Sequence, residues 1–260
     1  MKSVAALLAL VIAAAGTLQA QGPDTVFIEE LTWTEIRDRI ENGTTSVIIA
    51  TGGTEQNGPH MVMGKHNFII KVTAERIARE LGNTLVAPVV AYVPEGDPDN
   101  VSNPGVISLP NDAFVQLLEY AARSLKSGGF TDIILIGDSG GNQRGMQQVA
   151  EKLNEAWAGT RARVHYAPDY YRNNGFADWL ESQGETREAI GSHAGITDTS
   201  QVMAVDSNLI RFHQRVAMGG FEGSGVRGDP TRATVDYGRV GLQMKVDAAL
   251  RQIRELMSQD

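Results

Sequence analysis

The chain is predicted to be an α/β protein, a three-layer α/β/α sandwich with a mainly parallel central sheet. Two observations predict this class. Apolar runs of strand length alternate along the chain with segments of helical periodicity, the pattern of repeated β-α-β units. One run, Asp132–Gly137, is continuously apolar in its interior, which is typical of a strand buried on both faces of a parallel sheet.

The first half of the chain predicts two helices and two strands. Residues 32–40 show helical periodicity with Thr32 or Thr34 as the N-cap, and the apolar run 46–50 follows as a strand. A second helix is predicted over 68–81, where Gly82-Asn83 ends it, and a second strand over 84–91.

The second half continues the alternation. A helix is predicted over Asn111–Ser127 because apolar residues recur on one face and Gly128-Gly129 stops it. A strand over 132–137, a helix over 141–157 and a strand over 163–167 follow.

Three polar loops each follow a predicted strand. They contain Glu55, Glu95 and Asp138, and the Glu95 loop extends over 95–104. In open parallel sheets ligands bind beyond the carboxyl ends of the strands, so these loops are expected to converge there. Residues 170–192 are expected to form an excursion that covers this site.

Composition indicates a single enzyme-like domain over residues 21–260. The net charge of −8 and the lack of a basic run argue against a nucleic-acid partner. The chain has no cysteine, which is compatible with a bacterial periplasm without demonstrating it. The expected partner is a small molecule or another copy of the chain.

Residues 1–20 have the pattern of a secretory signal peptide. Lys2 precedes an apolar stretch that ends at Leu18-Gln19-Ala20. The stretch is short for a membrane span, so we expect a soluble, periplasmic or secreted protein without stable membrane association after cleavage. An uncleaved N-terminal anchor is the alternative.

Five blocks of sequence resemble the creatininase (creatinine amidohydrolase) family. Residues 54–66 read T-E-Q-N-G-P-H-M-V-M-G-K-H, where the family usually has T-E-Q-H-G-P-H-L-P-x-x-T-D. The other blocks, in order, are N-P-G-V-I-S-L at 103–109, G-D-S-G-G-N at 137–142, H-A-G-I-T-D-T-S at 193–200 and G-V-R-G-D-P-T-R-A-T at 225–234. The resemblance implies a creatininase-like fold and a homo-oligomer, in that family commonly a hexamer.

The resemblance also implies a site for two divalent metals. The family's five ligand positions fall on Glu55, Asn57, His66, Ser139 and Asp198, and only Glu55 is unchanged. Asn and Ser are weak neutral donors, so an intact binuclear centre is not expected. One expectation is a single zinc, manganese or iron ion held by Glu55, His66 and Asp198; function without metal is the other.

Site residues are predicted from the blocks and the strand ends. The candidate catalytic residues are Glu55, His66, Asp138, Ser139, His193 and Asp198. The candidate substrate-binding residues are Asn57, His60, Glu95, Gly140, Gly141 and Asn142. Structural roles stay open for several of them: His60 as a loop-fixing residue, His66 as an exposed side chain, and Asp138 as a helix cap. D-S-G-G-N is not a G-x-S-x-G elbow, which argues against a serine hydrolase.

The predicted function is that of an exported small-molecule enzyme, most simply a hydrolase of the C–N bond in a cyclic or linear amide. Glu55 or Asp198 would then transfer protons. Two alternatives remain. The chain is a non-catalytic ligand-binding or assembly protein descended from the family, or it is an enzyme of another class, such as a lyase or isomerase, that uses the same pocket without two metals.

Overall fold

The computed structural model describes residues 22–101, 103–217, 221 and 223–258. The predicted signal peptide, 1–20, lies outside the described residues. Helices and strands alternate in this order: α1 (Trp33–Glu41), β1 (Ser46–Thr51), α2 (Lys65–Leu81), β2 (Thr84–Val86), α3 (Asn111–Ser127), β3 (Asp132–Gly137), α4 (Asn142–Ala156), β4 (Arg163–Tyr166), α5 (Phe176–Ser182), α6 (Arg187–Ile190), α7 (Ile196–Val205), α8 (Phe212–Ala217) and α9 (Val235–Ser258). In the part of the chain described, no helix is both long and apolar enough to cross a membrane.

The sheet of the described residues has four strands in the order β2-β1-β3-β4, and every neighbouring pair is parallel. The two central strands pair along their whole length, from Ser46 opposite Asp132 to Thr51 opposite Gly137. Their carboxyl ends are therefore side by side, and the chain leaves both strands at the same edge of the sheet.

Helices cover both faces of the sheet, which confirms the three-layer α/β/α sandwich. Alternate strand residues point to opposite sides. Val47 and Ile133 pack with α3 and α4 on one face. On the other face, Ile48 and Ile134 pack with α2 and the long last helix α9.

The predicted element types are confirmed, and some boundaries differ. Thr32 caps α1 through a capping box with Glu35. The helix predicted from 68 begins three residues earlier, at Lys65. The strand predicted over 84–91 ends at Val86. Pro88 has no N–H for a ladder, and only an isolated bridge between Val90 and Thr51 follows it.

Candidate active site

The turn after β1 is fixed from the neighbouring helix α4. The amide nitrogen of Asn142 donates to Gly52 O at 2.8 Å and to Thr51 Oγ1 at 2.8 Å. Asp138, the first residue after β3, donates its N–H to Thr51 O at 3.0 Å. These bonds hold the ends of β1 and β3 together, so that the loops they release meet above the sheet edge.

A cavity of about 260 Å³ lies at this edge. It contains all six predicted catalytic residues and three of the six predicted substrate-binding residues. Its lining consists of Glu55, Lys65, His66, Glu95, Asp138, Ser139, Gly140, Gly141, Tyr171, Ser192, His193, Asp198 and Lys245. It continues into an outer space of about 500 Å³ that shares Glu55, Glu95, Ser192 and His193. The expected convergence of the three loops is therefore observed, and the excursion over 170–192 contributes Tyr171 and Ser192.

His66 joins two carboxylates. Its Nδ1 lies 2.7 Å from Asp138 Oδ2, and its Nε2 lies 2.8 Å from Glu55 Oε1. Burial and the charge of Lys65 lower the pKa of His66, but the hydrogen bonds to Asp138 and Glu55 outweigh them and raise it above its usual range. Both ring nitrogens are thus engaged, and the imidazolium form is favoured.

Lys65 lies between two other carboxylates. Its ammonium is 2.7 Å from Asp198 Oδ2 and 3.2 Å from Glu55 Oε1, and its side chain is 1% exposed. Asp198 Oδ2 also accepts the N–H of Ala194 at 2.8 Å. Burial raises the pKa of Glu55, yet His66 and Lys65 together lower it to about 2. Glu55 and Asp198 are therefore ionised partners of a buried cation.

Asp138 is held by a second lysine. Its Oδ1 accepts hydrogen bonds from the Lys245 ammonium of α9 and from the Tyr170 hydroxyl at 3.0 Å. Tyr170 in turn shares a 2.8 Å hydrogen bond with Thr73 of α2. Burial raises the pKa of Asp138, but Lys245 and His66 bring it below its usual range. Asp138 is a buried carboxylate that accepts three hydrogen bonds, a different role from the helix cap considered from sequence.

Glu95 differs from the other carboxyl groups of the cavity because no cation among the described residues contacts it. Ser139 Oγ donates to its Oε2 at 3.2 Å, and its buried Oε1 has no hydrogen-bond partner in the described part of the chain. Gly53, with φ of 158°, leaves room for it: a Cβ there would lie 2.0 Å from Glu95 Oε1. Burial and the negative charge of Glu55 raise the pKa of Glu95 to about 7. This carboxyl exchanges a proton near neutral pH.

His193 borders the cavity on the side of the outer space. Its Nε2 lies 2.9 Å from Gln56 O, and its Nδ1 is 3.8 Å from Glu55 Oε1. Its backbone forms a bridge to Arg227 of the last sequence block. His193 therefore links the first, fourth and fifth blocks at the cavity wall.

Three predicted substrate-binding residues do not line the cavity and lie buried behind its wall. Asn57 is fully buried, and its amide nitrogen donates to the carbonyls of Glu55, Val62 and Met63. His60 is fully buried and lies 3.1 Å from Thr199 Oγ1. Asn142 fixes the β1 turn. Direct substrate contact by these three does not fit the geometry, because their side chains are fully buried and do not line the cavity.

The metal positions implied by the resemblance do not fit a divalent ion here. Asn57 and Ser139 use their side chains within the protein, and His66 has no ring nitrogen left as a ligand. The Lys65 ammonium fills the space between Glu55 and Asp198. In the described residues, no group of three or more His, Cys, Asp or Glu side chains has an arrangement that could hold a metal ion.

Several cavity residues were missed in the sequence. Lys65 directly precedes His66 in the first block, and it stands out because a lysine is rarely buried unless it is paired. Lys245 lies on the buried face of α9 beside Leu242 and Val246, where a charged residue within an apolar stripe is the available signal. Tyr170 and Tyr171 begin the segment 170–192 that was expected to cover the site, but nothing in the sequence singles out these two side chains within it.

One family model matches most of the chain, and several known proteins are similar to it. The family model for creatininase, described as creatinine amidohydrolase, matches residues 29–253. The mycofactocin precursor peptide peptidase of Mycolicibacterium smegmatis is 27% identical over 214 residues, 74% of this chain and 77% of that protein. The 3-dehydro-scyllo-inosose hydrolase of Thermotoga maritima is 28% identical over 119 residues, 45% of this chain and 37% of that protein. A solved creatininase with manganese matches 89% of this chain and 98% of its own at a TM-score of 0.70 and 20% identity, a likeness that shows the fold.

Proposed function

The chain belongs to the creatininase family, and on that premise we propose that it hydrolyses the C–N bond of a small cyclic or linear amide. The observation that carries the proposal is Glu95, a half-buried carboxyl that contacts no cation within the described residues. It lines the 260 Å³ cavity beside a cluster of ion-paired side chains. Perturbed carboxyl groups of this kind in a cavity are candidates for general acid-base catalysis.

Glu95 would act first as base and then as acid. In its ionised form it takes a proton from water as the water oxygen bonds to the amide carbonyl carbon. It then returns that proton to the nitrogen as the C–N bond breaks, so the products are a carboxylic acid and an amine. A pKa of about 7 suits both steps, because proton transfer is most effective when the catalyst's pKa lies near the working pH.

The remaining groups would stabilise the negative charge that develops on the carbonyl oxygen. The Lys65 and Lys245 side chains and the glycine turn at Gly140 and Gly141 all line the cavity. Fixed cations and backbone N–H groups are effective there because they are already oriented before the reaction begins. No step of this scheme passes through a metal ion.

The test is a turnover assay of the untagged protein against a panel of cyclic amides, linear amides and lactones, read by mass spectrometry. Glu95→Gln should lower kcat/KM by at least about 100-fold, the usual contribution of a general acid-base group. Glu188→Gln, an exposed glutamate of α6, serves as the matched control and should leave kcat/KM unchanged.

Three results would count against this proposal. If the natural protein turned over no member of the panel while still binding one, the non-catalytic alternative would stand. If Glu95→Gln kept full activity, the acid-base chemistry would lie with another residue. Turnover of a carbonyl compound without hydrolysis would instead favour a lyase or isomerase.

We also propose that the protein is exported and works in the periplasm or outside the cell. The support is the signal-peptide pattern at 1–20, which ends at Leu18-Gln19-Ala20. Intact-mass measurement of protein from the native host should give a chain that begins near Gln21. Retention of Met1 to Ala20 would contradict export by cleavage.

A further inference from the structure

The position of Lys65 is not explained by the stability of its own helix. Lys65 is the first residue of α2 and has a side chain that is 1% exposed. Positive charge at a helix N-terminus is opposed by the helix dipole, and a buried ammonium is costly unless it is paired. The compensation comes from Asp198 Oδ2 at 2.7 Å and Glu55 Oε1 at 3.2 Å.

The charged side chains around Lys65 are paired with one another. Three carboxylates, Glu55, Asp138 and Asp198, meet three basic side chains, Lys65, Lys245 and His66, and every carboxylate contacts at least one of them. A divalent ion added to this set would introduce two further positive charges, for which Glu95 is the one remaining carboxyl among the described residues that line the cavity. It would also have to displace an ammonium that contacts both of the carboxylates it needs.

We propose that the Lys65 ammonium permanently occupies the cation position between Glu55 and Asp198, so that this protein carries a lysine where a divalent metal would otherwise bind. The network is complete as folded and takes no metal ion. A carbonyl group that enters the cavity meets an ammonium as its electrophilic partner. The inference rests on the contacts of Lys65 and holds whichever bond the protein acts on.

The test measures metal binding and does not depend on activity. Protein purified without a metal-affinity tag is treated with chelator, and its thermal unfolding is followed with and without Mn²⁺ or Zn²⁺. Elemental analysis of the natural protein before chelation should find no tightly held divalent ion, and its Tm should not change when either ion is added.

Removing Lys65 should open the position to metal. Lys65→Ala leaves Glu55 and Asp198 without their shared cation, so its Tm should fall below that of the natural protein and rise again with Mn²⁺. The rise should be about 3–6 °C at an ion concentration ten times the Kd. Lys65→Met keeps the methylene stem and should respond in the same way if the alanine variant does not fold.

Two controls test whether the rise of Tm with metal depends on Glu55 and Asp198. Lys71→Ala, an exposed lysine of the same helix, should not respond to metal. The double variant Lys65→Ala/Asp198→Asn should lose most of the metal response, because one of the two carboxylates is gone. A stoichiometric, tightly bound ion in the natural protein would overturn the proposal, as would folded Lys65 variants whose Tm does not rise with either ion.

Discussion

The pKa values of two glutamates in one cavity are shifted in opposite directions. Glu55 contacts Lys65 and His66, and these cations lower its pKa to about 2 even though burial acts to raise it. Glu95 contacts no cation in the part of the chain that the structure describes, and burial and the charge of Glu55 raise its pKa to about 7. Residues with divergent pKa values in one pocket can hold separate roles, here a fixed anion and a proton carrier.

The shift of Glu95 predicts how stability depends on pH. A carboxyl whose pKa is raised on folding stabilises the protein fully below its unfolded pKa, near 4.5, and loses that contribution as pH rises through about 7. The loss between pH 4.5 and 8 should reach up to about 3 kcal/mol. Glu95→Gln removes the titration, so its free energy of unfolding should fall less over this range.

Urea unfolding of both proteins at pH 4.5, 6 and 8 measures this difference. The low-pH point is the internal control, because there Glu95 is protonated and resembles the glutamine that replaces it. The two curves should separate progressively above pH 5. Parallel pH dependence in the two proteins would mean that Glu95 is not perturbed by its surroundings, and it would remove support for its role as proton carrier.

The site was predictable from sequence where it depends on strand ends and motifs. Glu55 and Asp138 follow buried strands, and parallel strand order alone brings them to one edge. Lys245 enters from α9, more than 100 residues after Asp138, and only packing of that helix beneath the sheet delivers it. Burial of Asn57 and His60 behind the wall depends on loop conformation, which residue type does not determine.

At the scale of elements, helix and strand types followed from periodicity, while their ends did not. Asn111–Ser127 was predicted with its observed bounds because glycines follow it. The strand predicted over 84–91 ends early at Val86. Beyond it Ala87 and Val90 still donate to the carbonyls of Ile48 and Ala50 in β1, but the regular ladder is interrupted around Pro88. The start of α2 was placed late because Lys65 and His66 face the site, and their polar character breaks the apolar pattern.

Close packing of α7 on α9 is a second element-scale feature with a testable consequence. Gly238 of α9 lies against α7, and a Cβ there would be 1.8 Å from the backbone oxygen of Ser200. A backbone atom cannot move aside as the end of a flexible side chain can, so Gly238→Ala should force the two helices apart. The free energy of unfolding should fall by about 2–3 kcal/mol or more. The slope of the urea transition should not change.

Gln243→Ala is the matched control for that prediction. Like Gly238→Ala, it leaves an alanine in α9, but at an exposed position. There it removes only a surface hydrogen bond to Asp247. Its free energy of unfolding should stay within about 0.5 kcal/mol of the natural protein. A Gly238→Ala variant as stable as this control would show that α7 and α9 do not approach as closely as described. Because α7 carries Asp198 and α9 carries Lys245, loosening this contact should also disturb the ion-pair network.

At the scale of the molecule, the cavity depends on distant parts of one chain. Its residues come from the β1 loop, the start of α2, the Glu95 loop, the β3 loop, Tyr171, the segment 192–198 and α9, so the site is assembled from segments that are far apart in the sequence. Apolar side chains are exposed on the segments around the Glu95 loop, where Val101 lines the outer space. Tyr92 is 58% exposed, and Ile107 and Val101 are also exposed. Val93 forms a bridge with Ser108, which places Tyr92 and Ile107 on adjoining segments.

The exposed apolar surface formed by Tyr92, Val101 and Ile107 predicts an assembly of identical chains. Exposed apolar side chains beside polar surface often mark interaction sites, and a homo-oligomer is what we expect from the sequence resemblance. Light scattering at micromolar concentration should give a multiple of the chain mass, and Tyr92→Asp should shift it toward the single chain. Tyr120→Asp, which alters an equally exposed aromatic on α3, should keep the assembly intact. A monomer across this concentration range would reject the assembly, whereas an oligomer insensitive to Tyr92→Asp would place the contact on another surface.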